Sequence, residues 1–427
     1  MRKKVFLFVW ILAILSFAGA VLAKGGNPGA GGFKLHGYLM GIDGMRLTAD
    51  RPNPNEGGET VLRELRLRLE ADWNSPDGNT YFLMKCDGIK DFITGQIDKD
   101  LREAYLGHTM GPLDARIGRQ IITWGVGDVF FINEVFPKDW ESYFLGRPMD
   151  YLKMGVDALK MRYSGKEIGI EALMIPSFEP DHFPSGLRFH SYNPFAAIPD
   201  RREEKPDRTP TNNEYVLRLS KRFGGYDFAF YAYRGFWRTP APQLDNPLAP
   251  MRVTWFYPRL DTFGLSAQGA ALGGIISFET GYYDSLKDKA GSDPLFPNSE
   301  WRFLTNYQRD LGNELSVSIQ LYGELMAGYS DYQDSLPVGS PKKKRFRSFF
   351  SNRFTKWLNY HAWMLSLFTA YGIAENDYYI KPEIVYKSSD KLSYFLNANV
   401  FGGEKTTTFF GQFQKNDNVS FGIRMDY

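Results

Sequence analysis

Residues 417–427 read DNVSFGIRMDY. Val419, Phe421, Ile423, Met425 and Tyr427 alternate with Asn418, Ser420, Gly422, Arg424 and Asp426. A strand sends successive side chains to opposite faces, so this stretch predicts a strand apolar on one side and polar on the other. The same period runs through VLRELRLRLEADW (residues 61–73), where Leu65, Leu67, Leu69, Ala71 and Trp73 face away from Glu64, Arg66, Arg68, Glu70 and Asp72. It returns in KEIGIEALMIP, with Ile168, Ile170, Ala172 and Met174 opposite Gly169, Glu171 and Leu173, and in KLSYFLNANVF near residue 392.

These segments run to about 9–13 residues, longer than strands of soluble sheets and close to a tilted membrane span. Roughly 18 are counted, with 16 the alternative. They start near residues 33, 61, 79, 101, 113, 155, 167, 213, 225, 254, 272, 299, 313, 357, 377, 391, 404 and 417. KWLNYHAWMLSLFTAY, apolar on both faces, reads as one strand or as a helix. Short links (NSPDGN, TMGP, SGK, GG, LGG, DLGN, GIAEN) alternate with long ones at 44–60, 122–154, 177–212, 238–253, 285–298 and 328–356. Alternation fails only near the end, where SSD and KN are both short. Such alternation is the signature of an outer-membrane barrel, with short inner turns and long outer loops. A soluble sandwich rarely needs so many long strands, and no fixed repeat supports a solenoid. The expected fold is all-β: one transmembrane antiparallel β-barrel over residues 33–427.

The N-terminus fits that compartment. Arg2, Lys3 and Lys4 precede the apolar run VFLFVWILAILSFAGAVLA, which predicts a signal peptide over residues 1–23 and then a flexible Gly-rich lead over 24–32. Losing three basic residues from 51, against 49 acidic ones, leaves the chain near neutrality and removes any argument for nucleic acid. Cys86 is the single cysteine, so no intramolecular disulfide exists. Aromatic content of 16% and 42 glycines, without a later apolar run of helical span length, point to β structure.

Every backbone donor must be paired in hydrocarbon, and a closed sheet does this without an edge. Lipid outside then puts the polar set inside: Glu64, Arg66, Arg68, Asp114, Arg116, Lys160, Arg162, Glu171, Arg218, Arg222, Lys381, Glu383 and Arg424. A barrel of this size leaves an aqueous lumen. Two readings of the charges stay open. Arg66, Arg68, Arg116, Arg162 and Arg218 form a basic track for anionic solutes, or they pair with Glu64, Glu70, Asp72 and Asp114 and hold the wall.

RIGRQIITWGVGDVFFINEVFPKDW (residues 116–140) loses alternation after Gly125 for about 30 residues, too long for a turn. Residues 122–154 are therefore expected to fold into the lumen and constrict it. Arg119 shares the outward parity of Ile117; either Gly118 allows a bulge that turns it inward, or it lies at the outer rim. Gly118, Arg119 and Gln120, then Trp124 and Gly125, with Asp128, Asn133, Pro137 and Asp139 beyond, carry a resemblance. The stretch resembles a poorly characterised group of porin-like outer-membrane barrels with a Gly-Arg-Gln…Trp-Gly signature, distantly similar to alginate-export barrels. In that group Asn and Pro usually adjoin, whereas here Glu134, Val135 and Phe136 separate them. The resemblance implies passage of hydrophobic or polymeric solutes.

The Pro-rich stretch 177–212 cannot pair regularly as a strand; it docks in the mouth as a plug or hangs outside. PKKKRFRSFF places Lys342, Lys343, Lys344, Arg345 and Arg347 in an outer loop, where they bind lipopolysaccharide phosphates or are simply solvated. Asp181, His182 and His190 lack a metal spacing, and no phosphate loop or nucleophile elbow is present. His36 or His361 with a rim acid or serine is the enzymatic alternative. No cofactor is expected. Phe421, Ile423, Met425 and the terminal aromatic Tyr427 resemble the signal read by the barrel-assembly machinery. The expected function is passive passage of solutes across the outer membrane of a Gram-negative bacterium. The alternatives are an export or lipid conduit with periplasmic partners, and a non-conducting scaffold or adhesin.

Overall fold

The computed structural model describes residues 32–48 and 59–427. The signal peptide and nearly all of the Gly-rich lead lie outside them. The chain winds as a continuous meander in which each barrel strand pairs with the one before it. The first seven barrel strands are β1 (Phe33–Arg46), β2 (Thr60–Asn74), β3 (Thr80–Asp91), β4 (Ile97–Met110), β5 (Leu113–Gln120), β6 (Val156–Ser164) and β7 (Ile168–Ile175). After β8 (Asp200–Glu204), which leaves the barrel, come β9 (Glu214–Phe223) and β10 (Tyr226–Phe236). The loop strands β11 (Ala241–Leu244) and β12 (Arg252–Phe256) precede β13 (Arg259–Ala271) and β14 (Gly274–Ser285). The barrel continues with β15 (Glu300–Asp310), β16 (Leu315–Met326), β17 (Phe346–Leu358) and β18 (Trp363–Gly372). It ends with β19 (Asp377–Lys387), β20 (Leu392–Gly403) and β21 (Asn418–Asp426).

All neighbours are antiparallel, and β21 pairs back onto β1 from Tyr38↔Asp426 to Arg46↔Asn418. That last ladder closes an 18-stranded cylinder and leaves no open edge. Phe421, Ile423, Met425 and Tyr427 stand 41–50% exposed on the outside, while Ser420 is fully buried within. Around the wall the outward positions repeat the pattern, with Leu65, Ile117, Ile170, Phe263, Phe303, Leu321, Phe354 and Leu367 all exposed. A soluble monomer does not bear an apolar belt of that extent.

Turns of two to five residues join the strands at one end, as at 224–225 and 272–273; we call this the turn end. Gly224 and Gly225 both have positive φ (59° and 82°), the requirement of the hairpin turn that matches strand twist. The opposite, loop end carries the stretches 121–155, 176–213, 237–258, 286–299, 327–345 and 404–417.

Two strand expectations were misplaced. No strand starts at 404; that stretch is a loop with a short 3-10 turn, Gly411–Phe413, whose Phe410 and Phe413 are buried in the interior. A strand was instead hidden in Phe346–Leu358, read as basic outer loop because adjacent Phe349 and Phe350 mask its alternation. The former faces in (2% exposed) and the latter out (36%). KWLNYHAWMLSLFTAY accordingly holds the end of β17, a turn with positive φ at Asn359, Tyr360 and His361, and all but the end of β18. With these corrections GIAEN moves to the loop end and SSD to the turn end; the loop end then holds two short links, 92–96 and 373–376, where the alternation of short turns and long loops does not hold.

Outside the cylinder β8 pairs parallel with β12, and β11 antiparallel with it. The Pro-rich stretch thus does contain a strand, set between Pro199 and Pro206 where no proline interrupts it.

Candidate functional site

Residues 121–155 leave the loop end of β5 and turn into the bore. The segment contains one short helix, Trp140–Phe144, whose N-cap Asp139 accepts hydrogen bonds from the Ser142 backbone N–H (2.8 Å) and hydroxyl (2.6 Å). Its apolar side chains Trp124, Ile132, Phe136, Phe144 and Leu152 are all buried. They meet inward rings of the wall: Trp124 lies 5.9 Å from Tyr231 on β10, Phe130 stacks on Tyr322 of β16 and Phe349 of β17, and Phe144 packs edge-on to Tyr379 of β19. The inner wall is therefore graded. In β19, Tyr379 at the loop end is followed inward by Lys381 and Glu383 toward the turn end. In β9, buried Glu214 and Val216 give way to Arg218 and exposed Arg222. Rings receive the inserted segment; charges line the rest.

Polar anchors fix the insert. Asp128 binds Arg353 of β17 through both oxygens (2.6 and 3.1 Å), and its backbone N–H donates to Gln320 Oε1 (3.2 Å). Asn133 Nδ2 donates to Glu279 Oε1 of β14 (3.1 Å) and to the Leu265 carbonyl (3.3 Å). Gly125, beside Trp124, passes directly under the Glu279 carboxylate. The Pro137 carbonyl accepts from the Met154 N–H (3.2 Å), folding the two arms of the insert together. Lys381 reaches up to the Tyr143 carbonyl (3.4 Å), with its ammonium 4.0 Å from the ring centre.

The second long loop caps the insert. The Lys138 N–H donates to Asp181 Oδ1 (2.8 Å), the His182 N–H to the Lys138 carbonyl (2.8 Å), and His182 Nδ1 lies 3.1 Å from Asp139 Oδ1. Arg188 pairs with Asp91 of β3 and donates to the Val61 carbonyl (2.8 Å). The first part of 176–213 is thus docked in the mouth, and the part from Arg201 to Glu204 is exposed. Burial pushes the Lys138 ammonium below its ordinary range, against the pull of Glu134. Burial raises the Asp181 carboxyl, opposed by Lys138. The Asp139 hydrogen bond raises the His182 imidazole.

Arg66 and Arg68 face inward but are bound in a buried cluster. Arg66 holds Glu64 (3.1 Å) and Asp87 (2.9 Å), and Arg68 also pairs with Asp87. They hold wall and insert together; the open lumen charge lies elsewhere. Arg116 pairs with Asp114 (3.0 Å), and Glu171 is shared by Lys160 (2.7 Å) and Arg218 (2.8 Å). Arg222 pairs with Asp227 (3.2 Å) at the turn-end mouth, both exposed. Arg162, between Asp114 and Glu171 in register, is exposed and has no ion-pair partner among the described residues. Gly118, with φ of 126°, packs against the Ala104 carbonyl, and strand pairing runs through it without a bulge. Arg119 accordingly stays on the outward parity at the loop-end rim, donating to the Leu101 carbonyl (2.6 Å) near Asp157 and Glu179. Gln120 turns in and donates to the Ala158 carbonyl (3.1 Å).

Sequence reasoning missed Asp87, Arg147, Tyr151, Glu279 and Arg353. It also missed the inward rings Tyr231, Tyr283, Tyr322 and Tyr379, although each lies on the polar parity of its strand, as Tyr322 does between Gln320 and Glu324. His36 sits beside Glu70 (3.3 Å) and His361 beside Glu314 (3.5 Å). Among the described residues no group of three or more His, Cys, Asp or Glu is placed to hold a metal.

Closed topology, apolar exterior, ionic bore and an inserted loop together define a porin-type β-barrel. No family model and no curated protein matches the chain. Solved structures do. The chain is similar to OccD3 (OpdP) of Pseudomonas aeruginosa, with a TM-score of 0.55 and 9% identity over 94% of this chain and 93% of that one. It is similar to OccAB3 of Acinetobacter baumannii, with a TM-score of 0.55 and 9% identity over 92% and 99%. It is also similar to OccK2 (OpdF) of P. aeruginosa in complex with glucuronate, with a TM-score of 0.54 and 10% identity over 92% and 97%. At such identities the likeness is one of fold.

Proposed function

We propose that the chain is a channel in the outer membrane of a Gram-negative bacterium, passing solutes passively through a bore narrowed by residues 121–155. One observation carries this reading: the insert is held to the wall by side-chain ion pairs and ring contacts, across a bore whose turn-end half is lined by charge. A scaffold barrel needs no such ionic lining. The Gly-Arg-Gln…Trp-Gly signature supports grouping the chain with the porin-like barrels that carry it. Lys342, Lys344 and Arg345 in the loop 327–345 are suited to lipopolysaccharide phosphates, and the strand Asn418–Asp426 to recognition by the assembly machinery. Planar-bilayer recording of the purified protein tests the channel. Discrete ohmic steps that grow when residues 124–150 are deleted are the expected result. Silence that persists after the deletion rejects a channel and leaves the scaffold.

A further inference from the structure

We propose that the bore also carries a binding site for neutral solutes bearing an aromatic ring, in the cavity between the inserted segment and the wall from β10 to β19. This rests on the channel reading for delivery of the solute, but not for binding itself. The cavity holds about 450 Å³, within the range of small-molecule sites. Its lining draws rings from the insert (Phe130, Trp140), from the Pro-rich loop (Phe183), from the loop 404–417 (Phe410) and from the wall (Phe349, Tyr379). The rings are already arranged to pack against one another: Phe130 and Phe349 lie 5.1 Å apart, Trp140 and Phe183 6.5 Å, and Tyr379 and Phe410 5.6 Å. A further ring inserted among them meets faces and edges together, the geometry aromatic pairs favour.

The charges argue for neutrality. Each ionised side chain on the lining is already matched: Lys138 with Glu134 (3.1 Å), Arg238 with Glu214 (2.7 Å), Arg302 with Glu300 (2.6 Å) and Arg347 with Glu324 (2.8 Å). Asp181 accepts from the Lys138 N–H and from Trp140 Nε1 (3.2 Å). An anionic solute must break one of these pairs or be buried without a partner, and either is costly. A neutral ring disturbs none of them.

The test uses the full barrel in lipid nanodiscs at neutral pH and three probes: N-acetyltryptophanamide, N-acetyltryptophan and N-acetylleucinamide. Saturation-transfer NMR should show the neutral tryptophan amide binding roughly ten-fold more tightly than either the anion or the ringless amide. Phe130→Leu, which keeps an apolar side chain but removes the ring, should weaken the tryptophan amide several-fold, with heat-modifiable gel mobility verifying the folded barrel. Equal or tighter binding of the anion overturns the proposal, as do equal binding of the leucine amide and unchanged binding in Phe130→Leu. The expected binding pattern in a barrel that passes no current removes the channel and keeps the site; current without selective binding removes the site alone.

Discussion

Arg147 of the inserted segment clasps Glu64 of β2 through both carboxylate oxygens, its Nε at 3.1 and 3.2 Å and its Nη2 at 2.9 Å. Its remaining Nη1 donates to the Ser142 hydroxyl (2.9 Å), so the same guanidinium also braces the helix Trp140–Phe144. Beneath it Tyr151 donates to Asp87 (2.9 Å), which Arg66 and Arg68 hold against β2. The insert is thereby fastened to β2 and β3 by a buried network.

Removing one member of such a network leaves an uncompensated charge, at a cost of about 3–5 kcal/mol. Arg147→Ala should therefore loosen residues 121–155, raising single-channel conductance and opening the segment to added protease. Glu64→Gln should do the same more weakly. Conductance and protease resistance equal to wild type would show that the rings alone hold the segment.

The opposite anchor, Asp128 with Arg353, is partly solvated and so weaker, about 1 kcal/mol. Asp128→Asn alone should change conductance little. Combined with Arg147→Ala it should exceed the sum of the single effects, because the two pairs fasten one segment at separate points. Strict additivity in recordings of the four proteins would mean that the anchors act independently.

Much of this was legible in the sequence, for a physical reason. Lipid and water on opposite faces impose period two, so the wall at Leu65, Ile117 or Ile423 could be read without a structure. The position of the insert could be read as well, since loss of period after Gly125 marks where the chain leaves the sheet. What holds the insert could not. Glu64 and Arg147 come from stretches of different period, and their meeting depends on register and on how far the loop descends. The inward rings were passed over because an apolar residue on a polar face looks like noise until a partner such as Phe130 is placed against it. Phe346–Leu358 was lost to the same effect.

Acidity should tighten the cap over the insert. The Asp139 hydrogen bond raises the His182 imidazole above its ordinary 6.5, so its stabilising contribution is complete below 6.5 and is lost as pH rises through the folded value. Burial acts against the Asp139 charge, but His182 and Arg147 hold that carboxyl at about 2, so its contribution fades only in strong acid. Glu141 and Arg147 also face His182, the first favouring and the second opposing its positive charge. Hydrogen exchange of residues 176–190 should quicken about two- to five-fold between mildly acidic and mildly alkaline pH, a modest change because His182 is half-exposed. His182→Gln should remove the dependence; its persistence there would assign the effect to another group.

Gly118 is required by backbone contact. A Cβ built at this position lies 2.2 Å from the Ala104 carbonyl oxygen, in a conformation of positive φ. Gly118→Ala should cost at least about 1–3 kcal/mol from strain and displace β5 from β4 at the point where the chain enters the bore. A lower temperature of loss of heat-modifiable mobility, together with a shifted conductance, is the expected result. A barrel as stable as wild type would show that β4 yields freely.

Ion selectivity should follow the charges that remain unneutralised. Arg66 and Arg68 share Asp87, Arg66 also holds Glu64, and both are almost wholly buried, so a permeating ion meets little of their field. Arg162 is exposed without an ion-pair partner among the described residues, and Arg222 shares the exposed turn-end mouth with Asp227. Rings of such charge set the preference of a pore. Arg162→Ser should move the reversal potential in a salt gradient toward cations, and adding Arg222→Ser should move it further. Arg68→Ser should leave the reversal potential nearly unchanged while lowering the stability of the barrel, since it strips Asp87 of one partner. The opposite ranking, with Arg68 governing selectivity and Arg162 silent, would mean that water and ions reach the cluster around Asp87 and that the insert does not seal it.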